Sequence, residues 1–297
     1  MFKHATVLIP TYNSLASLKR CLAALQEQTS PDFEIGVVDD GSQDGTADYL
    51  AALHWQQLKW QRLEQNQGRS AARNCAVALA QAPLLIFLDS DMVVTRDFVA
   101  AHLQFHRQRG AGWIGQGRVI ISHDYANPTL TPFSPWTDAS RAFFATGNVS
   151  VARAAVEKAG GFDLAFRDYG WEDLELGLRL RKAGLRSHPV PEALGYHLEP
   201  PFDLNDWPTL IAKEQARARG ALHLYQKHPC LEVRLMTQLT PLHRGLDTLL
   251  RLGGRVDEAS VLKALQNLQR RGQAKMALAL ARAYLNHYYL QELARAQ

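Results

Sequence analysis

Two aspartates that follow the most apolar segment of the chain are well suited to bind a cation. Asp89 and Asp91 flank Ser90 and come directly after Leu84-Leu85-Ile86-Phe87-Leu88. Mg²⁺ and Mn²⁺ take oxygen ligands, usually one or two from the protein and the rest from phosphate and water. A cation held there would neutralise a diphosphate leaving group. Acidic pairs are common in loops, so this spacing alone is a weak signal.

A second pair of carboxylates, Asp39 and Asp40, ends another apolar segment and precedes Gly41-Ser42. Such carboxylates can accept hydrogen bonds from a nucleoside base or a ribose hydroxyl, and a glycine lets the backbone turn tightly beside them. The same residues are compatible with an ordinary turn in which Asp44 or Thr46 caps the next helix.

A cationic side chain follows in a third polar segment. Gly68 opens a predicted helix whose first turns carry Arg73. Guanidinium groups bind phosphate or pair with carboxylates. Either partner, or plain exposure on the helix surface, is compatible with the sequence.

These polar segments lie where strands are predicted to end. Apolar runs alternate with helical patterns over the first hundred residues, and the predicted strands cover residues 6–10, 34–39, 59–63 and 83–89. This alternation predicts a parallel sheet covered by helices on both faces. Ligands bind at the carboxyl ends of such strands. Those ends carry Thr11, Tyr12 and Asn13, then Asp39 and Asp40, then Asp89, Ser90 and Asp91.

The pattern changes beyond about residue 110. Irregular strands precede a helix predicted from Trp171 to Ala183, and residues 205–228 and 232–297 are predicted to be helical. We place the domain boundary at Pro200-Pro201. It separates an α/β domain of residues 1–200 from a helical extension of residues 201–297.

The composition is that of an ordinary globular protein. The chain has 297 residues, 46% of them hydrophobic, and no apolar run approaches the roughly 20 residues that span a bilayer. The start of the chain leaves no room for a signal peptide, and three cysteines are too few for a disulfide framework, so we expect a cytoplasmic protein.

The helical extension is basic, with 14 Lys and Arg against 8 Asp and Glu in residues 200–297. Such a surface can contact anionic lipid at the membrane or simply be solvated. Its leucine-rich segment 233–250 can lie on a membrane. We favour packing on the core or on a second subunit, because periodic apolar faces usually do so.

Taken together, the polar segments resemble those of the family 2 glycosyltransferases of the GT-A fold. The matching runs are Pro10-Thr11-Tyr12-Asn13, Val38-Asp39-Asp40-Gly41-Ser42 with Asp44-Gly45-Thr46, Asn66-x-Gly68 with Ala72-Arg73-Asn74, and Leu88-Asp89-Ser90-Asp91. The resemblance covers roughly residues 5–200. It implies a nucleotide-diphospho-sugar transferase domain with a Rossmann-like mixed sheet flanked by helices.

The resemblance also implies roles for these residues. The implied contacts to the nucleotide sugar are Pro10, Thr11, Tyr12, Asn13, Asp39, Asp40, Gly68, Arg73, Asp89 and Ser90. Asp91 and Asp89 would hold a divalent metal, Mn²⁺ or Mg²⁺.

A run in the second half resembles the acceptor side of galactosyltransferases and polypeptide-modifying transferases. Thr146-Gly147-Asn148 and Gly160-Gly161-Phe162-Asp163 precede Tyr169-Gly170-Trp171-Glu172-Asp173. By this resemblance Asp173 is the base that takes the proton from the attacking hydroxyl, while Trp171, Glu172 and Asn148 shape the acceptor site. His197 would be a third metal ligand. Acidic residues in a first helical turn also stabilise the helix dipole, which is the alternative role of Glu172 and Asp173.

The implied reaction is an inverting transfer of a sugar to a hydroxyl of a glycan, a lipid or another acceptor. The family's habits favour a UDP-hexose or UDP-N-acetylhexosamine donor, and no nucleic acid partner is expected. The motifs do not identify the donor sugar, the acceptor, the linkage or the oligomeric state.

Three other functions fit the sequence less well. An NAD-dependent oxidoreductase would carry a dinucleotide fingerprint, and Gly110-x-Gly112-x-x-Gly115 matches one. This run follows a helix-like segment and leads into a strand-like one, which is the reverse of the required order. A sugar nucleotidyltransferase would carry a glycine-rich cationic loop where Pro10-Thr11-Tyr12-Asn13-Ser14 stands. An inactive sugar-nucleotide-binding protein is disfavoured by the intact Asp89, Asp91 and Asp173.

Overall fold

The computed structural model describes residues 4–134, 137–139, 142–167, 170–251, 253 and 255–295. The described chain divides into two compact units. The first contains the residues up to Arg167 together with Glu172–Pro200, and the second contains Gly170, Trp171 and the residues from Pro201 onward. Tyr169 of the acceptor-side motif lies outside the described residues.

Within the described residues, the first unit is built on one eight-stranded mixed sheet. Its strands are β1 (Ala5–Thr11), β2 (Phe33–Asp39), β3 (Leu58–Arg62), β4 (Leu84–Leu88), β5 (Met92–Val94), β6 (Trp113–Ser122), β7 (Asn148–Ala152) and β8 (Arg186–Leu198). Their order in the sheet is β3-β2-β1-β4-β7-β6-β8-β5. The first four are parallel to one another, whereas β7 runs antiparallel to β4 and β6.

Six helices of the first unit connect these strands in the described chain. They are α1 (Leu15–Gln26), α2 (Thr46–Ala52), α3 (Arg69–Leu79), α4 (Phe98–Arg109), α5 (Arg153–Lys158) and α6 (Glu172–Lys182). The alternation of strand and helix up to β4 is the predicted one. Strand β5 was not predicted, because three residues are too few to show a period.

Strand β4 is fully buried because apolar clusters lie on both faces of the sheet. On one face Ile86 belongs to a cluster with Leu22 of α1, and on the other Phe87 belongs to a cluster with Ala76 of α3 and Leu176 of α6. Burying one such leucine or phenylalanine contributes about 1.5–3 kcal/mol. The loop that follows β4 is therefore attached to a fully buried strand.

The dinucleotide fingerprint is excluded by its structural context. Gly110 ends helix α4 with φ +82°, and strand β6 begins at Trp113. A dinucleotide site needs the opposite order, with a strand before the glycines and a helix after them.

The second unit is helical. Its helices are α7 (Trp207–Lys227), α8 (Leu231–Met236), α9 (Pro241–Leu250), α10 (Glu258–Arg270) and α11 (Ala274–Arg295). Trp207, Leu265 and Ala281 are among the residues of its buried cluster. Over the part of the chain that is described, no helix combines the length and the apolar character needed to cross a bilayer.

Candidate active site

The pairing of β1 with β2 places the first two polar segments side by side. The strand register aligns Thr11 with Asp39, and the Asp40 N–H donates to the Thr11 carbonyl at 2.9 Å. Just beyond β1, Asn13 adopts φ +47°, and its Oδ1 accepts the N–H of Gln43 at 2.8 Å. The loops after β1 and β2 therefore form one connected edge.

The first segment is partly exposed at this edge. Tyr12 is 47% exposed, so its ring can stack on a ligand, and Pro10 is half-buried.

Asp39 is fully buried, with Oδ1 accepting the Ser42 N–H at 2.9 Å. Among the described residues its Oδ2 has no hydrogen-bond partner, although Arg62 Nε lies 3.7 Å away. An open carboxylate oxygen at a strand end is suited to a ligand N–H or O–H.

Helix α1 is capped by the neighbouring loop and not by its own Ser14. The Ser14 side chain makes no capping hydrogen bond; its hydroxyl lies 3.0 Å from Ser90 Oγ. Asp44 Oδ2 accepts the Leu15 N–H at 2.8 Å, and its Oδ1 accepts the Thr46 hydroxyl at 2.6 Å. A carboxylate at a helix N-terminus also stabilises the helix dipole. Asp44 thus fastens the second loop to the first.

Asp40 and Gly68 have structural roles, and their implied contacts to the nucleotide sugar stay predictions. Both oxygens of Asp40 are occupied, since they accept the N–H groups of Gln67 at 2.8 Å and Gly68 at 2.9 Å. Gly41 has φ +77°, and a Cβ there would lie 2.8 Å from the Gln65 carbonyl carbon, so only glycine fits. The carboxylate therefore orders the loop that leads into α3.

Arg73 is buried between two carboxylates, one of the two kinds of partner that the sequence left open, and its implied contact to the nucleotide sugar stays a prediction. Its side chain is only 5% exposed and donates to Glu172 Oε1 at 2.7 Å and to Asp89 Oδ1 at 3.1 Å. Buried carboxylates need such a partner to remain ionised. Arg73 therefore joins the loop after β4 to the start of α6, the two segments that carry the implied metal ligands and the implied base.

Glycine at position 147 leaves room for the Asp89 carboxylate. A Cβ at Gly147 would lie 3.3 Å from Asp89 Oδ2, so a larger residue would push this oxygen away. The Asp89 side chain is 37% exposed. One of its oxygens faces Arg73 and the other remains open beside the glycine.

Asp91 and His197 lie together, as the metal-site prediction requires. His197 Nε2 lies 3.0 Å from Asp91 Oδ2, and its Nδ1 lies 3.2 Å from Glu199 Oε1. Burial opposes the charged imidazolium, but the hydrogen bonds to Asp91 and Glu199 outweigh it and raise the pKa of His197 to about 10. The imidazole is thus held between two carboxylates.

Glu199 was missed by the sequence analysis. The sequence feature that could have revealed it is its spacing of two residues from His197 at the end of β8. Alternate residues of an extended chain lie on the same face. A carboxylate that bonds the second nitrogen of a metal-binding histidine fixes its orientation and raises its basicity.

The donor atoms at Asp91 fit a divalent cation. Asp91 Oδ1 is buried and has no hydrogen-bond partner among the described residues, while Oδ2 is beside the imidazole. No group of three or more His, Cys, Asp or Glu side chains converges on a metal position anywhere in the described chain. Two protein ligands suffice for Mg²⁺ or Mn²⁺ when phosphate and water supply the others.

The start of α6 presents Glu172 and Asp173. Glu172 is buried, and its Oε2 has no hydrogen-bond partner among the described residues. Asp173 is partly exposed and accepts the Leu174 N–H at 2.7 Å. Desolvation by burial, reinforced by the charge of Glu172, raises the pKa of Asp173 to about 7, although Arg73 acts in the opposite direction. Such a carboxylate can take up a proton near neutral pH.

Asn148 holds strands together and does not face an acceptor. Its Oδ1 lies 2.9 Å from His102 Nε2, and its Nδ2 donates to the carbonyls of Arg118 at 3.0 Å and Ala193 at 2.9 Å. The side chain is 3% exposed. The structure thus shows a structural role for Asn148, and its implied acceptor contact stays a prediction.

Trp171 belongs to the second unit and does not offer an open stacking surface. Its indole N–H donates to the Arg217 carbonyl at 2.7 Å, and the residue is 9% exposed. A Cβ at Gly220 would lie 3.1 Å from the indole, which shows how closely α7 packs on the ring. The structure therefore shows a packing role for Trp171, and the implied sugar contact stays a prediction.

Comparison with known proteins agrees with the predicted family. The model of the family described as glycosyl transferase family 2 matches residues 6–170. A validoxylamine A glucosyltransferase of Streptomyces hygroscopicus subsp. jinggangensis is 31% identical over 280 residues, covering 81% of this chain and 64% of the relative. An uncharacterized glycosyltransferase of Bacillus subtilis is 28% identical over 260 residues, covering 66% of this chain and 65% of the relative. The chain thus spans less than two thirds of these relatives.

Solved structures confirm the predicted GT-A fold. A mannosyltransferase from Pyrobaculum calidifontis, solved in complex with GDP-Man and Mn²⁺, superposes with a TM-score of 0.64 at 18% identity. The superposition covers 100% of this chain and 89% of that one. A TarS fragment from S. aureus gives a TM-score of 0.56 at 20% identity, covering 99% of this chain and 92% of that one.

Proposed function

The chain belongs to glycosyl transferase family 2, whose model matches more than half of its length, and on that premise we propose that it is an inverting, metal-assisted glycosyltransferase. It moves a hexose or N-acetylhexosamine from a nucleotide-diphosphate sugar, with UDP as the nucleotide, to a hydroxyl group of a glycan or a lipid-linked acceptor.

The observation that carries this proposal is the position of Arg73. The guanidinium bonds Asp89 after β4 and Glu172 at the start of α6. Asp91 is two residues from the first of these contacts, and Asp173 directly follows the second. One buried cation therefore ties the predicted metal loop to the predicted base, which are some eighty residues apart in sequence.

Asp91 and His197, with the open oxygen of Asp89 nearby, would hold the divalent cation. When bound, the cation would neutralise the charge that develops on the departing diphosphate. Asp39, with its open oxygen, and the exposed Tyr12 would hold the nucleoside at the ends of β1 and β2. This arrangement orients the donor so that its sugar lies toward α6.

Asp173 would act as the base of the displacement. The acceptor oxygen forms a bond to the anomeric carbon as the bond from that carbon to the diphosphate oxygen breaks. The hydroxyl proton passes to the Asp173 carboxylate, and the electron pair of the broken bond leaves with the nucleoside diphosphate. Attack from the side opposite the leaving group inverts the anomeric centre. Glu172 would accept a hydrogen bond from the acceptor through Oε2, which is buried and has no hydrogen-bond partner among the described residues.

A thermal-shift screen of nucleotide sugars with and without Mn²⁺ tests the proposal. We expect a subset of UDP-sugars to raise the Tm only when Mn²⁺ is present, since a ligand that binds only the folded protein stabilises it. The donor so identified should release UDP when an acceptor is added. Stabilisation by nucleoside triphosphates alone would favour a nucleotidyltransferase, and binding without UDP release would favour an inactive binding protein.

The pH dependence of kcat/KM provides a second test. Because the pKa of Asp173 is raised to about 7 and the base must be ionised, kcat/KM should rise with pH up to about 7 and then level off. Donor binding, measured in parallel, should not follow this curve. A kcat/KM that is flat between pH 5 and pH 8 would contradict the assigned role.

Glu199→Gln should weaken Mn²⁺ binding by about 10- to 100-fold, the range seen when the partner of a metal-binding histidine is altered. The substitution keeps the size of the side chain but removes the charge that supports the His197 imidazole. Calorimetric titration with Mn²⁺ and donor measures the effect. Glu192 is an exposed residue of β8, the strand that Glu199 follows. The variant Glu192→Gln is therefore the matched control and should bind Mn²⁺ like wild type. Equal Mn²⁺ affinity in the two variants would remove Glu199 from the site.

A further inference from the structure

Helix α9 turns its apolar side outward. Leu242, Leu246 and Leu249, spaced to lie on one helical face, are 64%, 48% and 70% exposed. On another side of the helix, Asp247 Oδ2 lies 2.8 Å from Nδ1 of His287, which is buried on α11. A helix at a protein surface normally buries its apolar face. The structure therefore contradicts the expectation that this face packs on the core.

Further exposed leucines lie on α8, the helix that precedes α9 in the chain. Leu231 and Leu235, one helical turn apart, are 69% and 49% exposed, and with Leu242, Leu246 and Leu249 they make up what we call the leucine ridge. These five residues are half of the ten large apolar side chains that are exposed among the described residues, and they fall within residues 231–249. Concentrated apolar exposure of this kind marks an interaction surface.

The charge around the leucine ridge indicates its partner. Residues 227–255 carry five Lys or Arg and two Asp or Glu. A symmetric dimer built on this ridge would bring two such positive surfaces together, which is unfavourable. An anionic bilayer surface combines negative headgroups with an apolar layer beneath them, and so matches both the basic residues and the leucines.

We propose that the leucine ridge docks the second unit onto an anionic membrane surface. The leucines enter the boundary between headgroups and acyl chains, and the exposed Arg255 contacts a lipid phosphate. Docking of this kind is reversible, because a few leucines and surface charges bind far more weakly than a helix that spans the bilayer.

Vesicle flotation of the full chain tests this proposal independently of any transferase activity. The protein should float with vesicles made of equal parts phosphatidylcholine and phosphatidylglycerol, and poorly with phosphatidylcholine alone. Leu242→Ser/Leu246→Ser/Leu249→Ser should lower the partition by at least about ten-fold. Arg255→Gln should lower it for anionic vesicles and reduce its dependence on salt. Met276→Ser, a control at another exposed apolar position of the second unit (58% exposed), should float like wild type.

Hydrogen–deuterium exchange of the wild-type protein adds a readout that does not depend on variants. Anionic vesicles should slow exchange across α8 and α9 more than elsewhere in the second unit. The proposal is overturned if wild type does not float, if the triple leucine variant floats equally well, or if protection falls outside α8 and α9. A concentration-dependent dimer in sedimentation that the triple variant abolishes would instead assign the ridge to a second copy of the chain.

Discussion

Asp173→Asn is expected to lower kcat by about 10² to 10⁴-fold, the usual contribution of a general base, while the affinity for the nucleotide sugar stays unchanged. Asparagine is isosteric and can still accept the Leu174 N–H through Oδ1, so the start of α6 keeps its geometry. What is lost is the ability to take the proton from the acceptor hydroxyl. Rapid-mixing measurement of UDP release, with donor affinity measured separately by calorimetry, distinguishes the two effects.

A stability measurement checks that this loss is not caused by misfolding. The folded-state pKa of Asp173 is raised above the ordinary value of an aspartate, so the ionised group costs stability as pH rises from about 4 through 7, and the cost persists above that range. The neutral amide of the Asp173→Asn variant carries no such cost, and the Tm of this variant above pH 7 should equal or exceed that of wild type. Wild-type turnover by Asp173→Asn would remove Asp173 from the mechanism.

Asp91→Asn should reduce the Mn²⁺-dependent part of donor affinity by more than about 100-fold. This loss is larger than the effect expected from altering a residue that only supports a metal ligand. The amide can still hydrogen-bond His197, but it removes the negative charge that a hard cation needs. The measurement is calorimetric titration of donor with and without Mn²⁺. Asp48→Asn, an exposed aspartate on α2, is the matched control for losing one acidic charge.

The result without metal is as informative as the result with it. Wild type and Asp91→Asn should bind the donor with similarly weak affinity when Mn²⁺ is absent, because only the metal contribution has been removed. An Asp91→Asn variant whose donor affinity still increases on adding Mn²⁺ as much as in wild type would assign the metal to other ligands.

The fold could be predicted because its signals are local. Strand β4 is an uninterrupted apolar run, and α1 shows leucines at helical spacing, so each element is determined by its own residues. The mixed character of the sheet followed only from the resemblance, since antiparallel pairing of β7 with β4 depends on contacts that are distant in sequence. The short strand β5 left no pattern to detect.

The roles of single side chains were harder to predict, because they depend on which group occupies each hydrogen bond. Asp40 and Asp39 are adjacent and identical in type, yet both oxygens of Asp40 accept backbone N–H groups, whereas the buried Oδ2 of Asp39 has no hydrogen-bond partner among the described residues. Arg73 has the sequence context of a phosphate ligand, but its two carboxylate partners come from distant segments. Asn148 and Trp171 match family motifs, but burial in this chain gives them structural contacts.

The orientation of α9 could not be deduced from its sequence for a related reason. Periodicity shows that one face of the helix is apolar, but it does not show which face meets the protein. The structure shows that choice, because Asp247 of α9 contacts His287, which belongs to α11.

A crystal structure with Mn²⁺ and a non-hydrolysable nucleotide sugar tests the central claim most directly, with the metal located by its anomalous scattering. The account predicts an anomalous peak bound to Asp91 and His197, with the diphosphate on the metal and the anomeric carbon facing the Asp173 carboxylate. A peak elsewhere, or a sugar whose anomeric carbon points away from α6, would contradict it.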